Sequence, residues 1–192
     1  MSRLELIVGT EILDGDIRLG HTMFEYGMLK DFIFSHLPEW FVEIGVHEGG
    51  LSWLLIPLFF PVINYLGIEL DCRIVRPQVK ELYDRSIHAQ LMCVDCFSQN
   101  TYDLVQTLSN KIIYCDGGHK AKELVFYASA CNSGDIIMAH DYYDEVRKVR
   151  DVPEPRAEVT SDDAKFLDDN WNFTRLPEHL FEETRIIGWM KK

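Results

Sequence analysis

The sequence predicts an α/β fold, a doubly wound and mostly parallel sheet between two helical layers, closed by an antiparallel strand at the C-terminal end. Three observations lead there. Short β-branched and aromatic runs alternate with longer helical ones through residues 40–141, the rhythm of right-handed β-α-β units. Each of the five apolar runs ends on an acidic residue: Glu43, Glu69, Asp95, Asp116 and Asp141. The first of them breaks at Glu43-Ile44-Gly45-Val46-His47-Glu48-Gly49-Gly50, a buried strand turning sharply into a helix.

The elements follow in order. Residues 1–21 show little periodicity and are available to cover part of a site or another subunit. Residues 23–36 carry Phe24, Met28, Phe32 and Leu37 at near-helical spacing, and Pro38 stops the helix. Strands are expected over 40–45, 62–69, 89–94, 111–116 and 134–141. Helices are expected after Gly50 and over 73–85, 101–109 and 120–131. From Tyr142 to about 160 the pattern lapses into charge and proline, a loop suited to close over a site. Thr160 or Ser161 can cap a helix through Asn170, and 171–176 with 184–190 form a closing strand pair. This is a Rossmann-like, three-layer α/β/α arrangement in one domain spanning residues 1–192, with an N-terminal arm and helix over 1–38 and a lid over 142–160.

Composition bounds the function. The chain has 192 residues, 47% hydrophobic and 26% charged, so it is neither disordered nor fibrous. A formal charge of −12 argues against a nucleic-acid partner, because that affinity rests on Lys and Arg. It suits a small ligand that is cationic or bridged by a metal. Residues 51–70 are apolar enough to suggest a membrane span, but Pro57, Pro61, Asn64 and Gly67 interrupt them, so a buried helix and strand are expected, with no membrane partner. Five cysteines without a secretory leader predict buried thiols in a reducing, cytoplasmic setting. Cys93 and Cys96 match C-x-x-C, yet Cys93 falls inside a strand and no second pair exists for zinc.

In open α/β sheets, ligands bind beyond the carboxyl ends of the strands. A row of carboxylates there is costly unless a cation joins them. Glu43 in place of a phosphate-loop glycine repels a pyrophosphate and suits a sulfonium or ammonium, which favours S-adenosylmethionine over a nicotinamide dinucleotide. Gly45 allows the turn, and Gly49 and Gly50 allow a ligand close to the helix start. Glu69 is placed to accept from two ribose hydroxyls and Asp95 from the adenine amino group, with Cys96 and Phe97 bordering the ring. His47 faces the same rim.

On Phe41-Val42-Glu43-Ile44-Gly45-Val46-His47-Glu48-Gly49-Gly50, Asp116-Gly117-Gly118-His119 and Ala139-His140-Asp141-Tyr142, the chain resembles class I S-adenosylmethionine-dependent methyltransferases over residues 23–192. Within them it is most similar to the metal-dependent macrocin O-methyltransferase and cephalosporin-hydroxylase-like group. The resemblance implies a divalent metal, Mg or Mn, on Asp116, His140 and Asp141. His140 departs from the carboxylate or amide of the catechol-type enzymes, and imidazole prefers softer metals. It implies catalytic roles for Asp116, Asp141 and His119, where that family has a lysine base, with Lys120 the neighbouring alternative. It also implies methyl transfer to a hydroxyl of a small molecule, sugar- or diol-like, and self-association. Two other readings stay open: a non-catalytic binder of the same cofactor, and a metal-dependent hydrolase using His140 and Asp141. Tyr26, Trp53, Tyr142, Tyr143 and Trp171 are candidate stacking surfaces, equally explained by packing. The acidic loop around Asp144, Glu145, Asp151 and Glu154 favours an uncharged or cationic acceptor, or is simply solvated.

Overall fold

The computed structural model describes residues 11–13, 17–59, 61–143, 159–177 and 184–192. Strands β1 (Glu11–Leu13) and β2 (Ile17–Leu19) form an antiparallel pair ahead of helix α1 (Met23–His36). Then come β3 (Trp40–Ile44), α2 (Gly50–Phe59), β4 (Asn64–Glu69), α3 (Pro77–Arg85), β5 (Ala89–Cys93) and α4 (Gln99–Thr107). The second half runs β6 (Lys111–Cys115), α5 (Lys120–Ala128), β7 (Ile136–Ala139), β8 (Tyr142–Tyr143), β9 (Val159–Thr160), α6 (Ser161–Asn170), β10 (Phe173–Arg175) and β11 (Ile187–Lys191).

Seven strands form one sheet in the order β10-β11-β7-β6-β3-β4-β5. Neighbours from β7 to β5 are parallel, and β11 is antiparallel to both β7 and β10. The expected closing pair is therefore present, with its antiparallel member one place in from the edge. The chain leaves β3 toward β4 and β5, then returns to the other side of β3 for β6 and β7. That reversal opens a crevice at the carboxyl ends of β3 and β6.

The pleat divides the core in two. Phe41, Tyr65, Ile112, Tyr114 and Met138 face one way, with Leu29, Phe32, Leu55, Phe59 and Val79 of the helices α1–α3. Val42, Leu66, Ile113, Cys115 and Ile137 face the other, with Val105, Leu124, Tyr127 and Leu167 of α4–α6. Strands buried on both faces are why their sequences read as continuous apolar runs. The 51–70 stretch is α2, a turn and β4. No described helix is long and apolar enough to cross a membrane.

Element ends follow local chemistry. Thr22 and Glu25 make a reciprocal capping box on α1, and Thr160 and Asp163 make another on α6. Pro77, at the first turn, starts α3 four residues later than the expected 73. Ser98 caps α4.

Three expectations need correction. The buried face of α1 is Glu25, Leu29, Phe32 and Ile33, whereas Phe24 and Leu37 are exposed. A buried glutamate in the stripe hid the true phase. The arm before α1 is not featureless: Ile17 and Leu19 of β2 are fully buried. Cys93 is not a buried thiol either, since it is bonded to Cys72, with Cα atoms 5.5 Å apart, while Cys96 is free. Most of the expected lid lies outside the described residues, but its two ends pair in parallel, Tyr142 with Val159.

Candidate active site

A cavity of about 650 Å³ lies at the crevice. Gly45 sits at its floor with φ +87°, a value that an L side chain rarely adopts. A Cβ there would meet Gly117 Cα at 2.4 Å, so two glycines let the turns after β3 and β6 touch. The other two glycines of the motif are approached by the protein itself. A Cβ on Gly49 would meet Val79 at 2.5 Å, and one on Gly50 would meet the Arg18 carbonyl at 2.2 Å. Packing of α3 and the N-terminal arm, rather than a ligand, accounts for both.

Along one wall, Glu69 is fixed by backbone donors. His47 N–H donates to Oε2 at 2.8 Å and Asp71 N–H to Oε1 at 3.0 Å. His47 itself has φ +53°, and the short turn aims its amide at Glu69. Each carboxylate oxygen keeps a lone pair for a further donor. Asp95, exposed, accepts from Phe97 N–H at 2.9 Å, and Cys96 and Phe97 line the same wall. Burial pushes the Cys96 thiol up to about 12, so it stays protonated.

Glu43 differs from its expected role. It is 2% exposed, and its Oε2 accepts from the Ser52 hydroxyl and the Tyr65 hydroxyl, both at 2.7 Å. Burial raises its pKa to about 8 despite those bonds, so it carries a proton at neutral pH. It borders the cavity as a neutral acid rather than as a negative charge.

The opposite wall holds a charged centre. Asp116, after β6, meets His140 Nδ1 at 3.2 Å, His21 Nε2 at 3.4 Å and Lys120 Nζ at 3.5 Å. The His21 and His140 rings stack with centroids 4.2 Å apart, and Tyr114 OH lies 2.7 Å from His21 Nε2. Asp141, with φ +57°, turns its carboxylate to Arg185 Nη1 at 2.7 Å and Lys120 Nζ at 3.1 Å. Glu25, from α1, accepts from Arg185 Nε at 3.2 Å and lies 3.6 Å from His140 Nε2. Burial opposes ionisation of Asp116, yet His140, His21 and Lys120 hold its carboxyl well below the usual range. Burial likewise opposes the His140 cation, but Asp116, Glu25 and Asp141 raise its pKa to about 9. His21 goes the other way, to about 4, through burial and the neighbouring His140. Three carboxylates thus face three cations, Lys120, Arg185 and the His140 imidazolium, beside a neutral His21.

No protein-family model matches the sequence, and no curated protein matches it. Solved structures do. A caffeoyl-CoA O-methyltransferase-like protein from Staphylococcus aureus superposes with a TM-score of 0.64 at 14% identity, over 94% of this chain and 86% of its own. CmcI superposes in an apo form with a TM-score of 0.66 at 14% identity, covering 95% and 77%, and in a Mg-SAM form with 0.64 at 16%, covering 93% and 76%. The fold is that of the class I S-adenosylmethionine-dependent methyltransferases. A fibrillarin/Nop5p complex shares it more distantly, with a TM-score of 0.53 at 13% identity over 86% of this chain and 81% of that one.

In this methyltransferase fold the sequence-expected residues fall as follows. Glu43, Gly45, His47, Gly50, Glu69, Asp95, Cys96, Asp116, His119, His140 and Asp141 all border the cavity. Gly49 lies behind it, under Val79. His119 is exposed at the rim, and its backbone N–H donates to Glu123 at 3.1 Å. Lys120 is buried, with its ammonium on the Gly117 carbonyl and on both aspartates; burial would lower its pKa, but Asp116 and Asp141 outweigh it and raise it. Sequence reasoning missed His21, Glu25 and Arg185. Only Glu25 left a trace, as the polar break in the α1 stripe.

Proposed function

We propose that the protein is an S-adenosylmethionine-dependent O-methyltransferase acting on a hydroxyl of a small molecule. The observation that carries this reading is Glu69: a buried carboxylate at the end of the second parallel strand, held by two backbone amides beside the crevice, in a fold that CmcI shares. There it would accept from the two ribose hydroxyls, with Asp95 taking the adenine amino group between Cys96 and Phe97. The methionine end of the cofactor would then lie over Gly45, with the sulfonium toward Asp116. Ionised Asp116 favours that positive charge, while protonated Glu43 contributes hydrogen bonding rather than charge.

His21, His140 and Asp116 stand where the acceptor would meet the methyl group. Alignment of hydroxyl oxygen and methyl carbon would supply most of the rate, since in-line transfer depends on near-attack geometry. His119, exposed at the rim, is our candidate to take the acceptor proton. Lys120 is tied as an ammonium between two aspartates and serves as a fixed charge. A divalent cation, when bound, would hold and acidify the acceptor hydroxyl. The expected ligand set of Asp116, His140 and Asp141 does not fit it as the residues stand, because Arg185 and Lys120 already engage both oxygens of Asp141. The acidic cavity and the charge of −12 favour a small neutral or cationic acceptor over a nucleic acid.

Calorimetry with S-adenosylmethionine, with and without Mn²⁺, tests the reading, followed by S-adenosylhomocysteine formation against sugars and vicinal diols. Binding and turnover are expected. Binding without product from any hydroxyl acceptor would point to a cofactor-binding protein, and no binding under any ionic condition would end the assignment.

A further inference from the structure

We infer that the protein has a transition-metal site built from His21, Asp116 and His140, with the N-terminal arm supplying the third ligand in place of Asp141. Where the cation binds is independent of the methyl-transfer reading; what it would do there rests on it.

The donors of these three residues lie within 4.8 Å of one another. Asp116 faces His140 Nδ1 at 3.2 Å through one oxygen and His21 Nε2 at 3.4 Å through the other. Ligands bonded to one cation at about 2.1 Å sit roughly 3.0–3.4 Å apart, so the two Asp116 contacts already have that spacing, and any wider separation within the 4.8 Å set would close on binding. Two imidazoles and one carboxylate prefer Mn²⁺, Fe²⁺, Co²⁺ or Zn²⁺ to Mg²⁺, which takes oxygen donors. All three side chains border the cavity, which gives a cation its entry path and leaves its remaining positions open to an oxygen ligand.

Two further observations favour a metal over a closed hydrogen-bond network. The outer nitrogen of His21, Nδ1, is buried and has no hydrogen-bond partner among the described residues, so protein contacts alone do not satisfy that ring. His140 also has the outer support typical of a metal-bound imidazole: Glu25 lies 3.6 Å beyond Nε2, itself held by Arg185 and Thr22. The Tyr114 hydroxyl, 2.7 Å from His21 Nε2, would have to yield that contact or join the coordination. Asp141 is excluded by its own bonds to Arg185 and Lys120. It sits beside the centre as an anchor for those cations.

The test is Co²⁺ binding to the full chain after dialysis against a chelator, read by calorimetry and by the visible ligand-field spectrum. One equivalent is expected to bind, at least about 100-fold more tightly than Mg²⁺. His21→Ala should weaken Co²⁺ by about tenfold or more, and Asp141→Asn should change it less than threefold. Should His21→Ala lose its far-UV circular dichroism, the wild-type protein loaded with Cu²⁺ decides instead: its electron paramagnetic resonance should show coupling to two imidazole nitrogens. Unchanged affinity in folded His21→Ala, a loss only in Asp141→Asn, coupling to fewer than two nitrogens, or no Co²⁺ binding at all would each overturn the site. S-adenosylmethionine binding to the metal-free protein is measured alongside. Its failure with Co²⁺ binding intact would strike the methyl-transfer reading and leave the metal site standing.

Discussion

Replacing Glu43 by Gln should stabilise the protein at pH 7 and flatten its dependence on pH. In the folded state the carboxyl has a pKa of about 8 against an ordinary 4.5. The unfolded chain therefore loses the proton from pH 4.5 upward, while the folded protein keeps it until pH 8. Stability from this group is fully present below 4.5 and is lost progressively as pH rises to 8. At pH 7 the loss amounts to about 2.5 pH units, or roughly 3 kcal/mol. Gln keeps an oxygen to accept from Ser52 and Tyr65 but has no proton to lose. Guanidinium titrations of both proteins at pH 5, 6, 7 and 8 should show a gap widening by about 1.4 kcal/mol per pH unit in favour of the variant. Near pH 7 the same gap would raise the melting temperature by roughly 6–12 °C. A gap that stays constant from pH 5 to 8 would mean that Glu43 is already ionised in the folded protein.

Three more outcomes follow from packing and bonding. Gly45→Ala should cost several kcal/mol, of order 3, because the residue has φ +87° and its new methyl would meet Gly117 at 2.4 Å; a denaturation midpoint equal to wild type would refute the contact. Asp135→Ala should cost about 3–5 kcal/mol, since it strands the fully buried Lys111 ammonium at the rim opposite the cavity; co-replacement by Lys111→Met should recover part of that loss. Thiol titration of the denatured, unreduced chain should find three groups, Cys96, Cys115 and Cys131, and five after reduction. Reduction should lower stability by about 3 kcal/mol, the loop-closure value for a separation of 21 residues.

The sheet was legible because its strands are buried on both faces. Phe41 to Ile44, Tyr65 to Ile68 and Ile112 to Cys115 had to be apolar whichever way they pointed, and a continuous run is visible without knowing the partner. Helix phase was less legible. In α1 the buried stripe contains Glu25, whose partners Arg185 and His140 lie more than a hundred residues away, so an apolar count favoured Phe24 and Leu37 instead. The disulfide was invisible for a similar reason: Cys72 and Cys93 come together only because β4 and β5 are neighbours, whereas C-x-x-C spacing drew attention to Cys96. His21 sits in a stretch without periodicity, and nothing local distinguishes it from a surface histidine.

The row of acids at the strand ends turns out to be three different things. Glu43 is neutral. Glu69 and Asp95 accept from backbone amides and need no cation. Asp116 and Asp141 are the charged pair, and the chain brings its own cations to them, Lys120 from the next helix and Arg185 from the turn before β11. Converging carboxylates thus do not by themselves call for an external ion. The case for one rests on Asp116, which faces His140 Nδ1 at 3.2 Å, His21 Nε2 at 3.4 Å and Lys120 Nζ at 3.5 Å, and on His21 Nδ1, which has no hydrogen-bond partner among the described residues. A cofactor cation is one way to use that carboxylate, and a metal held by His21 and His140 is another. On the readings proposed above, the sulfonium would lie toward Gly45, and the metal would be held by Asp116 and His140 with His21 of the arm. One carboxylate would then serve both donor and metal, and His21, 3.4 Å from Asp116, is the residue through which the arm, absent from the sheet, would enter the chemistry.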